Sequence, residues 1–553
     1  MNCEELGRWI GAAIVSIACG WAGSSLSSAE AMKPEAIVVG AEGSSLERLA
    51  AREVRRYWYV RTGQLLSVVE VDDAAAVPGN TIVVGRGDRP WVGQLLAEGE
   101  GNGGVKQLAP EGYWLKTMRS EGRSILLVAG GSDSGTLYGA YRLAEHLGVR
   151  FYLHGDVVPD QPLKRLLPLL DEERAPLFAL RGIQPFHDFP EGPDWWNRDD
   201  YLAVIGQLPK LGMNFFGLHT YPEKGPNAEP TVWIGVPEQV GRDGRVRYSY
   251  PASYQNTLRG NWGYRAKRTS DFVFGAAELF ERDDYGGEVM WGHMPEPSTE
   301  EGFNEVFDRT GELLREAFGW ARALGVRTCV GTETPLTVPE RVKEWLGREQ
   351  GAEDWRQREL NALTDRGLIE RLYEGIYRRA ALAYAPDYYW FWTPETWTWE
   401  GTKEEQVKLT LADLAVAIEV HRRLKPGFEL ATCGWVLGPQ QDRALFDKVL
   451  PKEVAVRCIN REVGKAPVDR GFADVSGRGK WAIPWLEDDP ALTSPQLWAG
   501  RMRRDAADAL RYGCDGLLGI HWRTRVLGPA VGALAQARSE ERRVGKECRA
   551  RWS

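Results

Sequence analysis

The stretch Asp387–Glu400, with the sequence DYYWFWTPETWTWE, combines a strand signal with a candidate reactive side chain. Five consecutive large aromatic residues, Tyr388–Trp392, show no helical spacing and therefore predict a strand. Pro394 ends the strand, and Glu395 follows within a second aromatic run. Indole rings stack on sugar faces, and a carboxyl group removed from water can stay protonated and act as an acid. The stretch favours a carbohydrate site at a strand end; the alternative is a buried aromatic strand whose glutamate is merely exposed.

The chain around this stretch alternates predicted strands and helices, which indicates a parallel sheet with helical crossovers. The predicted strands, numbered one to eight, are Arg181–Phe186, Met213–His219, Val326–Gly331, Tyr388–Trp392, Phe428–Gly434, Val454–Ile459, Lys480–Trp485 and Gly516–Trp522. Eight such strands predict a (β/α)8 barrel, a TIM barrel, over residues 180–537. The step after strand six has the weakest helix signal, because residues 467–479 are rich in Gly and Asp. A sheet left open there would exclude a barrel.

The residues before the barrel predict a small α/β domain over residues 34–165. Short strand patterns, beginning at Ala36–Gly40, alternate with helix patterns at Ser45–Thr62 and Asp133–Leu147. The segment Gly135–Tyr152, GTLYGAYRLAEHLGVRFY, resembles the closing helix and strand of the domain that precedes the barrel in α-glucuronidases, bacterial β-hexosaminidases and related glycoside hydrolases. The resemblance implies a glycoside hydrolase in which this domain supports the barrel and has no catalytic residues.

Composition limits the partners of the chain. The 553 residues are 43% hydrophobic and 26% charged, an ordinary globular balance that is long enough for two or more domains. A formal net charge of −8, without any stripe of Lys or Arg, argues against a nucleic-acid partner. The 23 Trp residues predict an aromatic core and an aromatic-lined site. The seven Cys form no C-x-x-C pair, and three of them, Cys329, Cys433 and Cys458, are predicted to be buried in strands.

Both ends of the chain predict segments that do not belong to the fold. Residues 1–31 predict a secretory signal peptide, because the mostly apolar run Trp9–Leu26 precedes the small-x-small pattern Ala29-Glu30-Ala31. The alternative is a membrane anchor or a lipid anchor. The prediction implies a secreted or periplasmic protein with no other membrane contact. Residues 538–553 change composition abruptly and resemble a read-through tail of an assembled reading frame, so their removal is expected to change stability by less than about 0.5 kcal/mol.

Polar and aromatic residues are concentrated at the carboxyl ends of the predicted strands, which meet at one mouth of a barrel. The candidate site residues there are His187, Asp188, His219, Tyr221, Glu333, Trp392, Glu395, Trp397, Trp435, Asn460, Arg461, Glu487, His521, Trp522 and Arg523. This asymmetry between strand ends and strand bodies is the strongest functional signal in the sequence.

Two carboxylates on opposite sides of the mouth would provide what glycoside hydrolysis requires. Strands four and seven lie across the mouth, so Glu395 is the expected acid/base and Glu487 its partner, with Glu333 as the alternative partner. The arrangement is similar to that of many retaining barrel glycosidases, which have the acid/base after strand four and the nucleophile after strand seven. Pro394 stands where those enzymes have Asn and where β-hexosaminidases have Asp. The predicted activity is a cofactor-free hydrolysis of a polysaccharide or glycan.

Other side chains at the mouth leave alternatives open. His187, His219 and His521 follow adjoining strands and could bind sugar hydroxyls, tie loops together, or hold a metal ion in a metal-dependent hydrolase. Arg523 and Arg525 could pair with the carboxylate of an acidic sugar or with neighbouring Asp and Glu residues. A carbohydrate-binding protein without catalysis is a further class, against which the density of carboxylates argues.

The segment 220–298 is too long for an ordinary loop. Its aromatic residues are Trp233, Tyr248, Tyr250, Tyr254, Trp262, Tyr264, Tyr285 and Trp291. They predict a lid or subsite wall over the barrel mouth. The alternative is an ordered subdomain that covers only the side of the barrel.

Overall fold

The computed structural model describes residues 33–98, 107–120, 123–186, 192–193, 196–220, 228–254, 297–351, 355–399, 401–459, 468–487, 498–521 and 527–537. The predicted signal peptide and the predicted C-terminal tail lie outside these residues. In the part of the chain that is described, no helix is both long and apolar enough to cross a membrane.

The first domain is a mixed six-stranded sheet with helices on both faces. The strand order is β2-β1-β3-β5-β4-β8, with parallel pairing from β2 to β5 and antiparallel pairing of β4 with both its neighbours. The strands are β1 (Ala36–Gly40), β2 (Ser67–Val71), β3 (Thr81–Arg86), β4 (Tyr113–Ser120), β5 (Arg123–Gly130) and β8 (Asp171–Arg174), and a separate antiparallel pair is formed by β6 (Arg150–Tyr152) and β7 (Gly155–Val157). The helices are α1 (Ser45–Thr62), α2 (Pro90–Glu98) and α3 (Asp133–His146).

Local sequence explains where α1 begins and ends. Ser44 and Glu47 form a reciprocal capping box at its N-terminus, and Gly63, with a φ of 68°, terminates it in the left-handed conformation. Helices α1 and α3 pack on one face of the sheet, and α2 covers the other face with Trp91 and Leu95. The predicted α/β domain ahead of the barrel is therefore confirmed.

The second domain is a barrel of eight parallel strands. The strand order is β13-β12-β11-β10-β9-β16-β15-β14, and the seam between β13 and β14 is joined by a parallel bridge from Ala431 to Ala455. The strands are β9 (Leu180–Pro185), β10 (Phe215–Gly217), β11 (Arg327–Glu333), β12 (Tyr388–Thr393), β13 (Glu429–Gly434), β14 (Val456–Ile459), β15 (Lys480–Ile483) and β16 (Gly516–His521). Each predicted strand is present, and the (β/α)8 prediction is confirmed.

The helices of the barrel are α4 (Arg198–Gln207), α5 (Glu300–Ala323), α6 (Glu340–Glu349), α7 (Arg366–Ala383), α8 (Thr396–Trp399), α9 (Glu404–Leu424), α10 (Leu445–Val449), α11 (Ala499–Arg511) and α12 (Gly528–Ala537). The step with the weakest helix signal in the sequence is closed, because Val456–Ile459 pairs in parallel register with Lys480–Ile483. In the described part of that connection, residues 468–479, a short 3-10 helix at Arg470–Asp474 takes the place of an α-helix. Lys480 Nζ fixes it by donating to the carbonyls of Phe472 and Val475, both at 2.8 Å.

Aromatic rings surround a buried guanidinium inside the barrel. Arg457 on β14 is wholly buried, and its Cζ lies 4.0 Å from the ring centroid of Trp481, 4.2 Å from that of Trp390 and 4.8 Å from that of Phe215. Desolvation lowers the pKa of this guanidinium, but three ring faces stabilise the cation, each contact contributing about 2 kcal/mol when water is excluded. The predicted buried thiols Cys329, Cys433 and Cys458 are confirmed.

The substitution Gly217→Ala is expected to destabilise the fold, because a Cβ at Gly217 would overlap the indole of Trp390. Overpacking of a filled core costs about 1–3 kcal/mol, which chemical denaturation would measure. Gly319→Ala on α5 is the matched control, since no atom lies within 4 Å of its added Cβ. The control should be neutral or stabilising by up to about 1 kcal/mol. Equal stability of both variants would contradict this account of the barrel interior.

The first domain contacts the amino-terminal ends of the barrel strands. Glu111 accepts from Arg181 Nη2 at 2.6 Å and from Asn214 Nδ2 at 3.0 Å, which links it to the beginnings of β9 and β10. Lys210 binds Asp156 of β7 at 2.9 Å. The first domain thus covers the end of the barrel opposite to the mouth where the candidate site lies.

Candidate active site at the barrel mouth

Glu395 lies just beyond the end of β12. Strand β12 is buried throughout and ends at Thr393, and Pro394 cannot donate to a neighbouring strand. The chain then turns into the short helix α8, where the N–H of Thr398 donates to the carbonyl of Glu395 at 2.9 Å. Glu395 is half-buried. Glu395 thus stands two residues after the end of an aromatic strand, and its role as the acid/base stays a prediction.

Glu333 is the last residue of β11 and is half-buried. In the parallel register of the barrel it is the partner of Trp392 on β12. The N–H of Thr334 donates to the carbonyl of Trp392 at 2.9 Å, so pairing continues one residue past the glutamate. The backbone of Glu333 is consequently fixed on both sides.

Glu487 follows β15 and is wholly buried. Pairing with β16 continues beyond the regular strand, because Trp485 bridges Ile520 and the N–H of Leu486 donates to the carbonyl of Ile520 at 2.9 Å. Burial of a carboxylate is costly unless polar groups compensate it, and such carboxylates are frequent at functional sites. The structure thus places the three predicted glutamates at the carboxyl ends of β11, β12 and β15.

A stack of rings occupies the mouth beside Glu333. The His219 imidazole lies 4.3 Å from the indole of Trp392 and 5.8 Å from the ring of Phe186, centroid to centroid. His219 and Trp392 are buried, so the stack forms a firm base under the strand ends. Phe186 was not predicted as a site residue, although its position at the end of predicted strand one was a usable signal.

A second aromatic pair follows β13 and β15. Trp435 is 6% exposed, and its ring centroid lies 5.4 Å from that of Trp485. Trp485 was missed by the sequence analysis, which made it the last residue of predicted strand seven but did not include it among the site residues. It precedes the buried Glu487 by two residues.

Trp397 packs between the short helix α8 and helix α10. It is 1% exposed and stacks on Phe446 of α10, with ring centroids 6.2 Å apart. The reason is the helix α8, which begins at Thr396 and turns Trp397 into the core.

His521 ends β16 and is wholly buried. Strands β10, β9 and β16 are neighbours in the barrel, so the predicted adjacency of the histidine-bearing strand ends is confirmed. The remaining candidates lie outside the described residues: His187, Asp188, Tyr221, Asn460, Arg461, Trp522, Arg523 and Arg525. Within the residues that the structure covers, no group of three or more His, Cys, Asp or Glu is placed to hold a metal ion.

The sequence analysis also missed Asp413 on α9, which is wholly buried behind the strand ends. Its Oδ2 accepts from the hydroxyls of Tyr373 and Thr334, both at 2.7 Å. Burial is the largest influence on this carboxyl group and raises its pKa from 3.8 to about 6, although these hydrogen bonds oppose the shift. The usable signal was a carboxylate inside the apolar run LADLAVA, residues 411–417.

Asp413→Asn is expected to change the pH dependence of stability. Because the carboxyl pKa is higher in the folded than in the unfolded state, the contribution of Asp413 to stability falls as pH rises from about 4 to about 6 and then levels off. The shift corresponds to about 3 kcal/mol, which an amide does not show. The free energy of unfolding in urea should therefore rise, relative to that of wild type, when the variant is compared at pH 7 instead of pH 4. A pH-independent difference would contradict the raised pKa.

The described part of the long segment, residues 228–254, packs against helices. Tyr250 lies 5.0 Å from Phe307 of α5, and the hydroxyl of Tyr248 donates to the carbonyl of Arg341 on α6 at 3.0 Å. Trp233 donates within the segment, to the carbonyl of Tyr248. Tyr248 and Tyr250 therefore cover the side of the barrel, as in the alternative interpretation, and do not form the predicted lid. Trp262, Tyr264, Tyr285 and Trp291 lie outside the described residues.

The fold and the strand ends define a class of protein: a parallel (β/α)8 barrel behind an α/β domain, with glutamates and aromatic rings at its carboxyl mouth. Residues 23–143 match the family model described as glycosyl hydrolase family 67 N-terminus. The predicted resemblance of the first domain is therefore confirmed, and the match supports a glycoside hydrolase. The match ends before the barrel, so it does not reach the candidate site.

Two solved structures are similar to this chain at 12% sequence identity. One is a GH138 enzyme targeting pectin rhamnogalacturonan II, with a TM-score of 0.49 over 91% of this chain. The other is an inactive mutant of the GH20 exo β-N-acetylglucosaminidase from Vibrio harveyi, with a TM-score of 0.44 over 92% of this chain. This chain spans 50% of the length of the first and 70% of the second. No curated protein sequence matches it.

Proposed function

We propose that this protein is a glycoside hydrolase that cleaves a glycosidic bond in a polysaccharide or glycan with two carboxyl groups. The supporting observation is the position of Glu333, Glu395 and Glu487 at the carboxyl ends of three barrel strands, in a chain whose first domain matches a glycosyl hydrolase N-terminus. Glycoside hydrolysis needs one carboxylic acid to protonate the leaving oxygen and one carboxylate to attack carbon or to activate water.

Glu395 suits the acid because it is half-buried and follows the carboxyl end of an aromatic barrel strand. A general acid has to lie within hydrogen-bond reach of the oxygen that it protonates. Glu487 suits the carboxylate partner, and Glu333 is the alternative. A separation of about 5–5.5 Å between the two active carboxyl groups would give retention of configuration, and about 6.5–9.5 Å would give inversion.

The bound sugar is proposed to lie above the ring stack of Phe186, His219 and Trp392 and beside the pair of Trp435 and Trp485. These rings are mostly buried, so they support the site from below. Apolar sugar faces need such a base, and the carboxylates around it bind hydroxyl groups.

Hydrolysis should be tested with the purified chain on aryl glycosides and on plant and algal polysaccharides, including polymers that contain uronic acids. Release of a defined sugar by the folded protein is the expected result. Absence of release from every substrate, with a cooperative melting transition showing that the protein is folded, would contradict the proposal.

Export to the periplasm or the medium is part of the proposal, since an enzyme that cleaves polysaccharides meets its substrate outside the cytoplasm. The expected mature N-terminus lies near residue 32, after the small-x-small pattern. N-terminal sequencing of the protein recovered from fractionated cells measures this. Recovery of the chain in the cytosol with Met1 retained would contradict export.

A further inference from the structure

The carboxylate of Asp413 joins three separate elements behind the barrel mouth. Its Oδ2 accepts from Tyr373 of α7 and from Thr334, which directly follows β11, each at 2.7 Å. The backbone N–H of Leu336 also donates to this carboxyl group. Asp413, Tyr373, Thr334 and Leu336 are all at most 4% exposed. Two of the three donors thus belong to the short segment that follows Glu333.

That segment is also held from the side of β12. The N–H of Thr334 donates to the carbonyl of Trp392 at 2.9 Å, while its side chain turns back to Asp413. One residue before Glu333, the hydroxyl of Thr332 lies 2.7 Å from that of Tyr389. The neighbours of Glu333 are therefore anchored on the outer side of the barrel wall, and Glu333 alternates with them along the strand.

Burying a carboxylate at this position costs desolvation free energy that a purely structural contact would not require. An apolar side chain of similar volume would fill the space between α7 and α9 at lower desolvation cost. What the carboxylate adds is several acceptor sites at one point, so that a side-chain hydroxyl and a backbone N–H from the same segment are held together. Buried polar networks of this kind fix one conformation among several with similar packing.

We propose that Asp413 is a positioning residue for Glu333: it binds Thr334 and Leu336 and thereby sets the direction in which β11 presents the Glu333 carboxyl group to the mouth. The inference rests on the proposed function only in treating Glu333 as a site carboxylate. It assigns Asp413 no contact with substrate.

The test uses the full chain and a pair of variants at one position. Thr334→Val removes the hydroxyl that Asp413 accepts while keeping the shape, and Thr334→Ser keeps the hydroxyl. Hydrogen–deuterium exchange of the peptide covering residues 334–338 should be faster in Thr334→Val and in Asp413→Asn, by about tenfold or more, and unchanged in Thr334→Ser. On a substrate that wild type cleaves, kcat should fall about 10- to 100-fold in the first two variants, with little change in KM.

Asp505→Asn is the matched control for burial. Asp505 on α11 is also 1% exposed, and its pKa is likewise raised to about 6, mainly by burial. It lies 3.5 Å from Arg501, on a helix that does not follow β11. This control should change the melting temperature without changing kcat or the exchange of residues 334–338.

A double variant shows whether the effect passes through Glu333. If Asp413 acts by positioning that residue, Thr334→Val should reduce kcat in the wild-type background and hardly at all in the Glu333→Gln background. Additive losses would overturn the inference, and so would unchanged exchange in Thr334→Val. If wild type cleaves no glycan, the proposed function fails, while the exchange measurement still decides whether Asp413 holds the segment after Glu333.

Discussion

Glu395→Gln is expected to lower kcat/KM by about 10²–10⁴-fold on a natural glycan, because the amide keeps the shape of the side chain and cannot donate an acidic proton. The loss should be smaller on an aryl glycoside whose phenolate leaves without protonation. This dependence on the leaving group separates an acid from a residue that only binds the sugar, since lost binding affects both substrates alike.

The measurement is a series of aryl glycosides of graded leaving-group acidity, compared between wild type and the variant. Glu404→Gln is the control: Glu404 is the first residue of α9, and its side chain is 83% exposed and paired with Lys408 at 2.6 Å. It should behave as wild type on every substrate. Wild-type turnover of a natural glycan by Glu395→Gln would show that another group protonates the leaving oxygen.

Glu487→Gln is expected to lose about 10²–10⁴-fold on all substrates, whatever their leaving group, because the group that attacks carbon or activates water is needed in each case. Glu333→Gln is the matched comparison and should lose clearly less. Steady-state rates of both variants on the same aryl glycosides would rank the two residues.

Glu487 is wholly buried, so its replacement has to be shown to leave the fold intact. A melting transition close to that of wild type is expected, because Gln preserves the volume and removes a buried charge. A folded Glu487→Gln with normal turnover, together with an inactive Glu333→Gln, would transfer the partner role to Glu333.

The barrel was predictable because its signals are local. Each strand is a short apolar or aromatic run, and the segment between consecutive strands is long enough for a helical crossover. Tyr388–Thr393 and the other seven strands could therefore be placed from sequence. The contact between β13 and β14, which joins Ala431 to Ala455, could be expected only from the fold class. No pattern in the sequence shows which two strands pair to close the sheet.

The site was predictable only as far as strand ends define it. Glu333 ends β11 and Glu487 lies four residues after β15, so both could be selected by their nearness to a strand end. The stacking of Trp397 on Phe446 was not predictable, because the turn after Pro394 enters the helix α8, and a helix of four residues has no periodicity to detect. Asp413 was missed although it stands inside the apolar run 411–417, because its partners Thr334 and Tyr373 are distant in sequence and become visible only in the structure.

The long segment shows the same limit in another form. Its aromatic content predicted contact with something apolar but not which surface. Tyr248 packs against Trp345 of α6 and Tyr250 against Phe307 of α5, because the helices on the side of the barrel also have apolar faces that must be covered.

The contact of Glu111 with Arg181 and Asn214 has a consequence for how this protein can be cut and recombined. Arg181 is 1% exposed, and the carboxylate that neutralises it belongs to the other domain. A barrel expressed from about residue 176 onward would therefore begin with a buried cation deprived of its counter-charge. The border predicted from sequence separates two folding topologies, but the ion pair between Glu111 and Arg181 crosses it. Chimaeras that exchange the first domain between such barrels need to transfer a carboxylate at the place of Glu111 along with it.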